Sequence, residues 1–351
     1  MALPPLKVVL FVHSQETRFL TDWDWMETNP LGGSESSALH VARELTAIGL
    51  TVLVTNRVDD LRKPCDIFIS TRIWQVFSKG IRPGKLNYLW CTDDADQPSV
   101  AGLADPAMAA KVYGNIDGAF LLSHYQAGRW RAQLNLPAEK IFLTRNGIPL
   151  ARFSPDRGAL RSRPRAAYYG STPYRGLAAV IDSWPRIRGQ VPDAVLHIFS
   201  SMQIYGVGDT PEFEALYQRA RAEPGIEYHG AQGQATIRPV IQTCRALAYP
   251  CAFPETSCIT AMEAMAAGCA VVGTALGALP ETAAGNPLIP YKNVVWRGQW
   301  EAALVQVLAD DSAYESLARA NLDQSQNRDW STVIREWIGR FGEDWARQVR
   351  R

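Results

Sequence analysis

The chain has 351 residues and a mass of 38.8 kDa, enough for about two domains at roughly 150 residues each. Hydrophobic residues make up 47% and charged residues 20%, as in ordinary globular proteins, which excludes a disordered chain or a coiled coil. Lysine plus arginine number 36 and aspartate plus glutamate 35, and both halves are balanced, so we expect no nucleic-acid partner.

The cysteines and the first apolar run bear on the cellular compartment. No two of the six cysteines have the Cys-x-x-Cys spacing of a zinc ribbon or a thioredoxin-type site. Val8–Val12 is too short for the core of a signal peptide, and no run approaches the roughly 18 residues of a membrane span. We expect a cytoplasmic protein, with membrane association not indicated and the oligomeric state open.

Short apolar runs alternate with helical patterns through the first 150 residues. Val8–Val12 predicts a buried strand, a polar loop follows at 14–31, and a helix begins at 32–35 and ends at Gly49. Further strands are predicted at 51–55, 66–70, 86–91, 118–122 and 141–144.

The same alternation restarts after a connecting segment. Residues 150–165 hold five arginines and two prolines with no periodicity, which is typical of a domain linker. Strands are then predicted at 166–169, 194–199, 226–228, 246–249 and 270–273, with helices at 175–188 and 257–267 among others. Apolar strands alternating with helices predict an α/β fold with two doubly wound, Rossmann-like domains, 1–150 and 151–329, facing across a cleft.

Two carboxylates eight residues apart are the densest chemical signal. Glu255 lies in the loop after the strand at 246–249, and Glu263 lies two turns into the next helix among apolar neighbours. A carboxylate in that position needs a partner, because burying it alone is costly. It either pairs with an arginine or with backbone amides, or it holds two vicinal hydroxyls, as carboxylates do on ribose.

The start of that helix is a candidate anion site. Its unpaired N–H groups and the positive end of the helix dipole attract a group such as a diphosphate. Most helix starts in α/β proteins bind nothing, so this signal is weak by itself. The residues concerned are Ser257, Cys258, Ile259 and Thr260.

Two glycine-containing turns are further candidates for phosphate contacts. Gly170 and Ser171 follow a strand, and the glycine lets a ligand approach the backbone closely. Arg175 follows and can bridge two phosphate oxygens. Gly32 and Gly33 precede the first helix, where the alternative is an ordinary helix start capped by the next serine.

These elements in this order resemble glycosyltransferase family 4, retaining enzymes of the GT-B fold. The resemblance covers roughly residues 6 to 345 and implies a C-terminal helix, 330–351, that crosses back to the first domain. Its motifs here are Gly32-Gly33-Ser34-Glu35, Arg145-Asn146-Gly147-Ile148-Pro149, Arg175-Gly176, Glu255 with Glu263, and Gly277-Ala278-Leu279-Pro280-Glu281.

The resemblance implies transfer of a sugar, with retention, from a nucleoside-diphosphate sugar to a hydroxyl of a glycan, lipid or small molecule. Glu263 would hold the ribose hydroxyls and Glu255 hydroxyls of the transferred sugar. Arg175, where the family usually has lysine, would neutralise the departing diphosphate, and the amides near 258–260 and at Gly33 would complete the phosphate cradle.

No metal or other cofactor is predicted at the diphosphate. Asp22-Trp23-Asp24 has the letters of an Asp-x-Asp motif, but it lies in the first-domain loop and not beside the proposed phosphate site. The nucleotide sugar is therefore a cosubstrate, with charge stabilisation left to the arginine and the backbone amides.

The chain departs from the family pattern in ways that leave the catalytic details open. Ser171 stands where a second cation is common, Cys258 where glycine is common, and the stretch after the fourth strand contains Asp93 and Asp94 but no histidine. Asp93 is our candidate for the catalytic contact, with a turn or helix cap as the alternative. Candidate acceptor contacts are Asp22, Trp23, Trp25, Asp94 and His124.

Other functions remain as alternatives. A nicotinamide dehydrogenase would need Gly-x-Gly-x-x-Gly straight after a strand, but the first strand is followed by His13-Ser14-Gln15. A GT-B-fold epimerase or phosphorylase would act without an acceptor sugar. A non-catalytic nucleotide-sugar-binding protein would bind the donor and turn nothing over.

Overall fold

Two structural units share the chain in the computed structural model, which describes residues 6–14, 17–291 and 294–350. Unit 1 comprises residues 1–23, 33–147 and 329–351, and unit 2 comprises residues 24–32 and 148–328. The segment 24–32, which the sequence places in a loop of the first domain, therefore lies with the second unit.

The strands and helices alternate along most of the described chain. The strands are β1 Lys7–Val12, β2 Thr51–Thr55, β3 Cys65–Thr71, β4 Gly84–Trp90, β5 Gly118–Leu121, β6 Ile141–Leu143, β7 Ala166–Gly170, β8 Val195–Phe199, β9 Ile226–Tyr228, β10 Ala246–Tyr249, β11 Ala270–Thr274 and β12 Leu288–Ile289. The α-helices are α1 Trp25–Thr28, α2 Gly33–Ala47, α3 Gln75–Ser78, α4 Pro106–Gly114, α5 His124–Leu134, α6 Leu177–Gln190, α7 Pro211–Ala222, α8 Gln234–Ile241, α9 Ile259–Ala266, α10 Leu279–Thr282, α11 Trp296–Ala309, α12 Asp311–Ser325 and α13 Trp330–Val349.

The strands of unit 1 form a parallel sheet in the order β2-β1-β3-β4-β5-β6. In β1 every residue after Lys7 is buried, because a parallel sheet is covered by helices on both faces. From β1 the chain adds β2 on one side of the sheet and then β3, β4, β5 and β6 on the other, so the direction of connection reverses between β1 and β3. Ligands of such sheets bind outside the carboxyl ends of the strands at this point of reversal.

Helix α13 belongs to unit 1, where its aromatic face completes the core. The Trp337 ring packs edge-on against Trp90 and Phe120, with centroids 5.0 and 4.6 Å away, and its Nε1 donates to Thr144 Oγ1 at 2.8 Å. Both Trp90 and Trp337 are fully buried. Both tryptophans therefore serve core packing.

The strands of unit 2 form a second parallel sheet in the order β12-β11-β10-β7-β8-β9. The order of connection reverses between β7 and β10, which lie side by side. The two-residue edge strand β12 is missing from the sequence prediction because so short a segment has no usable periodicity.

Several boundaries differ from the predicted ones for local reasons. The predicted helix at 175–188 is a 3-10 turn over Pro173–Arg175 followed by α6, because Gly176 adopts a left-handed φ of 115° between them. Helix α9 begins at Ile259, two residues later than predicted. The cysteines are all free and buried, and no helix in the described ranges is long and apolar enough to cross a membrane.

Candidate functional site

The reversal point of the unit 2 sheet brings together two of the predicted loops. β7 and β10 are hydrogen-bonded neighbours, so the turn after Gly170 and the loop after Tyr249 emerge side by side at the carboxyl edge of the sheet. Arg175 and Glu255 lie on these two loops, and Gly170 is the last residue of β7. The topology thus places the candidate residues at the position where doubly wound sheets bind ligands.

Arg175 and Glu255 form an ion pair within this site. The Arg175 guanidinium donates from Nη1 to Glu255 Oε1 at 2.5 Å, and the Tyr249 hydroxyl donates to the same oxygen at 2.6 Å. Their side chains are 19% and 6% exposed. The second carboxylate oxygen of Glu255 has no partner in the part of the chain that the structure describes, so it is available to a ligand.

The Arg175 guanidinium is a half-buried cation with an N–H donor that is not used within the described residues. It lies over the Phe253 ring at 4.6 Å from the centroid, and its Nε–H has no partner among the described residues. Burial lowers the pKa of Arg175, but Glu255 and the surrounding tyrosines raise it by more, so the net shift is upward. The group is therefore a permanent positive charge at the end of β7.

Gly176 holds Arg175 in this position. With φ at 115°, it occupies a backbone conformation that other residues rarely adopt, and a Cβ built on it would lie 2.3 Å from the carbonyl oxygen of Pro250. The Arg175 turn and the loop after β10 can approach this closely only because position 176 has no side chain.

Replacement of Gly176 by alanine should therefore lower stability by about 2–4 kcal/mol, through backbone strain and the clash with Pro250. Gly189→Ala is the matched control, because nothing lies within 4 Å of a Cβ at that position of α6. Thermal unfolding of the two variants checks the prediction. Equal melting temperatures would show that the close approach at Gly176 is not required.

The start of α9 reaches the same turn. A Cβ on Gly170 would lie 3.2 Å from Thr260 Oγ1, which leaves little room between β7 and the helix start. Cys258 is the N-cap residue and makes no side-chain cap. The helical N–H groups begin at Ile259 and Thr260, so Ser257 precedes the helix, contrary to the prediction. The buried Ser257 Oγ is without a partner among the described residues.

Ser171 contributes a hydroxyl at the position where the family pattern commonly has a second cation. Its Oγ lies 3.2 Å from the Tyr249 hydroxyl, which in turn contacts Glu255. The turn after β7 is therefore tied to the Arg175–Glu255 pair by a chain of hydroxyls. Sequence reasoning missed Tyr249, because an aromatic residue at the end of an apolar strand resembles ordinary core.

Glu263 is a partly buried carboxylate without an ion pair. No described residue donates a hydrogen bond to its side chain or forms a salt bridge with it. Burial raises its pKa to about 7, an effect that the positive charge of Arg238 only partly offsets. Of the two interpretations given above, pairing within the protein is not seen among the described residues. An unpaired carboxylate with a raised pKa is more typical of a functional position than of a structural one.

Arg238 is a candidate residue that the sequence pattern did not indicate. Its buried guanidinium donates from Nη2 to Glu27 Oε2 at 3.2 Å, and its Nε has no partner within the described ranges. Glu27, on α1, also pairs with Arg152 at 3.1 Å. The contact between α1 and α8 joins residues more than 200 positions apart, which no local pattern predicts.

The candidate residues of unit 1 lie in structural contacts. Asp93 is buried and accepts from Arg72 Nε at 3.0 Å and from Ser99 Oγ at 2.6 Å. Arg72, directly after β3, has a left-handed φ of 69°, which is strained for a residue other than glycine. Asp93 therefore positions Arg72 at the reversal point of this sheet. A second carboxylate of unit 1, Glu35 in the first turn of α2, has its pKa raised, mainly by burial.

Asp94 has a structural role and does not fit the predicted acceptor contact. Its carboxylate is completely buried, pairs with Arg129 at 2.7 Å, and accepts from the Tyr125 hydroxyl at 3.0 Å and the Ala95 amide at 2.7 Å. His124, by contrast, is exposed at the first position of α5.

The candidate acceptor residues at 22–25 are divided between the two units. Asp22 and the half-buried Trp23 lie in unit 1, whereas Trp25, on α1, lies in unit 2. Gly32 and Gly33 are separated in the same way, with Gly33 as the first residue of α2. The role of these residues in acceptor binding stays a prediction.

The fold matches solved structures along nearly its whole length. The Anabaena protein HepE, in complex with UDP and glucose, aligns with a TM-score of 0.72 at 14% identity, covering 96% of this chain and 100% of that one. Sucrose-phosphate synthase from Thermosynechococcus elongatus aligns with a TM-score of 0.73 at 14% identity, covering 97% and 99%. WaaG, a glycosyltransferase involved in lipopolysaccharide biosynthesis, aligns with a TM-score of 0.66 at 15% identity, covering 93% and 97%.

These likenesses confirm the predicted α/β fold of the GT-B type. Residues 163–310 also match the family model described as glycosyl transferases group 1, and this segment contains Arg175, Glu255 and Glu263. No curated protein matches the chain in sequence. Together, the domain match and the fold support a place in the glycosyltransferase superfamily and glycosyl transfer as the class of activity.

Proposed function

We propose that the protein is a retaining glycosyltransferase of family 4. It would transfer a sugar from a nucleoside-diphosphate sugar to an acceptor hydroxyl. The observation that carries the proposal is the charge arrangement of unit 2. A buried Arg175–Glu255 pair stands at the reversal point of the sheet, and Glu263, with no partner of its own among the described residues, lies on the helix that starts there.

The donor would be held by complementary groups at this edge. Glu263 in its charged form accepts hydrogen bonds from two vicinal ribose hydroxyls, which supply the partner that the described residues lack. The free oxygen of Glu255 accepts from hydroxyls of the transferred sugar. The N–H groups of Ile259 and Thr260 and the guanidinium of Arg175 face the negative charge of the diphosphate.

The chemistry is mainly electrostatic. As the bond from the sugar to the diphosphate breaks, negative charge grows on the leaving group, and Arg175 and the helix amides stabilise it. We propose that no protein nucleophile and no metal ion take part in this step, since the cationic groups already present provide the stabilisation. The acceptor, a glycan, lipid or small molecule, would bind through unit 1, where Asp93 holds Arg72.

The donor can be identified by thermal shift with UDP-, GDP-, ADP- and dTDP-sugars, beginning with UDP-glucose. UDP and glucose are present in the HepE complex. A donor at 100 times its Kd should raise the melting temperature by about 5–10 °C. Transfer to acceptor hydroxyls, with the anomeric configuration of the product determined by NMR, then tests the reaction and its retention.

Each alternative function predicts a different product. An epimerase or phosphorylase would convert the donor without an acceptor, and a binding protein would be stabilised by the donor yet leave it intact.

The transfer step should not depend on a metal ion. Activity in excess EDTA, assayed well below the melting temperature, should equal that without EDTA. Loss of activity in EDTA and its restoration by manganese would contradict the metal-independent step.

A further inference from the structure

Two histidines and a glutamate converge at the edge of the unit 2 sheet, away from the residues discussed so far. His197 on β8 is the register partner of Glu227 on β9, the edge strand. His229 follows β9 directly, and its amide donates to Ile198 O at 2.9 Å, which continues the pairing. Because side chains two positions apart in a strand share a face, Glu227 and His229 both lie over His197.

The three ligand-type atoms have the spacing of a metal site. His197 Nδ1 lies 3.2 Å from His229 Nε2 and 3.2 Å from Glu227 Oε2, and the last two atoms are 3.9 Å apart. A point equidistant from three atoms so arranged lies about 2.0 Å from each, which matches zinc–nitrogen and zinc–oxygen bonds of about 2.0–2.2 Å.

The side chains also have a suitable orientation. The His229 ring stacks on Phe199, with centroids 4.6 Å apart and planes 15° from parallel, which fixes its orientation. Glu227 is largely exposed, which leaves the outer side open to water.

We propose that His197, Glu227 and His229 bind one divalent transition-metal ion of the zinc, cobalt or nickel class, with water completing the coordination. Two imidazoles and one carboxylate favour these ions over calcium and magnesium, which prefer oxygen ligands. The bound ion would tie the three-residue edge strand β9 to β8. The proposal does not depend on the proposed function, since these residues take no part in the transfer step.

Titration of the full-length, tag-free protein with Co²⁺ and Zn²⁺, after EDTA treatment and dialysis, tests the site. We expect one ion per chain by calorimetry, a Kd below about 100 μM, and a tetrahedral or five-coordinate Co²⁺ spectrum without thiolate charge transfer. Zn²⁺ should also raise the melting temperature.

Three variants make the result specific. His229→Ala and Glu227→Gln should each weaken binding by at least about 10-fold, and the second keeps the shape of an exposed side chain, so the fold is preserved. His124→Ala, at an exposed histidine of unit 1, should bind as the parent protein does. The proposal fails if no saturable binding occurs, if a thiolate spectrum appears, or if Glu227→Gln binds as tightly as the parent.

Discussion

Replacement of Arg175 by alanine should lower kcat by about 100- to 1000-fold, the usual effect of removing one preorganised donor from a site where negative charge develops. The effect on donor Kd should be much smaller. The leaving diphosphate carries more negative charge in the transition state than in the bound donor. The Arg175 cation therefore stabilises the transition state more than it stabilises the bound donor. Steady-state kinetics and calorimetry with the identified donor separate the two effects. Equal losses in kcat and donor affinity would contradict the assigned role.

The same substitution has a structural consequence that must be separated from the chemical one. Without Arg175, the Glu255 carboxylate remains buried with the hydroxyl of Tyr249 as its main partner. Leaving one member of a buried ion pair unpaired typically costs about 3–5 kcal/mol. We therefore expect Arg175→Ala to unfold at a lower temperature than the parent protein.

A double variant distinguishes the two effects. Arg175→Ala with Glu255→Gln removes both charges, so its melting temperature should recover, whereas its kcat should stay low. Arg175→Lys keeps the positive charge but loses the planar set of donors, so partial activity is expected. If the double variant regained activity together with stability, the loss in Arg175→Ala would be a folding defect and Arg175 would have no role in the transfer.

The sequence was most informative where local patterns carry the structure. Apolar runs of three to six residues located most strands, and the spacing of Glu255 and Glu263 placed one carboxylate on a loop and the other on a helix. The sequence predicts Arg175 at the start of the helix after β7, and the structure places it in the 3-10 turn just before that helix. These features depend on neighbours within about ten residues, so periodicity and turn chemistry suffice to predict them.

The partners of the site carboxylates depend on contacts between distant parts of the chain. Glu255 pairs with Arg175 and Tyr249, whereas Glu263 has no such partner in the part of the chain that the structure describes. This difference follows from the order of the strands, which no single segment encodes. The saturation of Asp94 by Arg129 and Tyr125 is of the same kind. A buried structural carboxylate and a ligand-binding one have the same local sequence signal, and only their partners distinguish them.

Burial of the Glu263 carboxylate should lower the stability of the folded protein at high pH by an amount that can be measured. Its pKa is about 7 in the folded protein and 4.5 in the reference state, mainly because of burial. A raised carboxyl pKa stabilises the fold fully below the unfolded value, and that stabilisation is lost as the pH rises through the folded value. The parent protein should therefore become less stable, through this group, between about pH 4.5 and pH 7. Binding of a donor whose hydroxyls pair with the carboxylate would offset the loss.

Replacement of Glu263 by glutamine should separate stability from function. The variant should be more stable than the parent by about 1–3 kcal/mol at pH 8 and by little at pH 5, because it carries no charge to bury. It should also bind the donor roughly 10- to 150-fold more weakly. This factor corresponds to the loss of about 1.5–3 kcal/mol, the usual contribution of hydrogen bonds to a charged group. Thermal unfolding and donor calorimetry across this pH range check both effects.

Glu214→Gln, the same substitution at an exposed position of α7, is the matched control and should change neither property. In the parent protein, donor affinity should rise as the pH increases through about 7 and Glu263 becomes charged, whereas Glu263→Gln should lose this dependence. A variant that binds the donor as tightly as the parent would show that Glu263 does not hold the ribose. A variant no more stable at pH 8 would show that its charge is satisfied within the protein. A residue that lowers the stability of the free protein and strengthens donor binding is what a binding role requires, whereas a purely structural carboxylate would do neither.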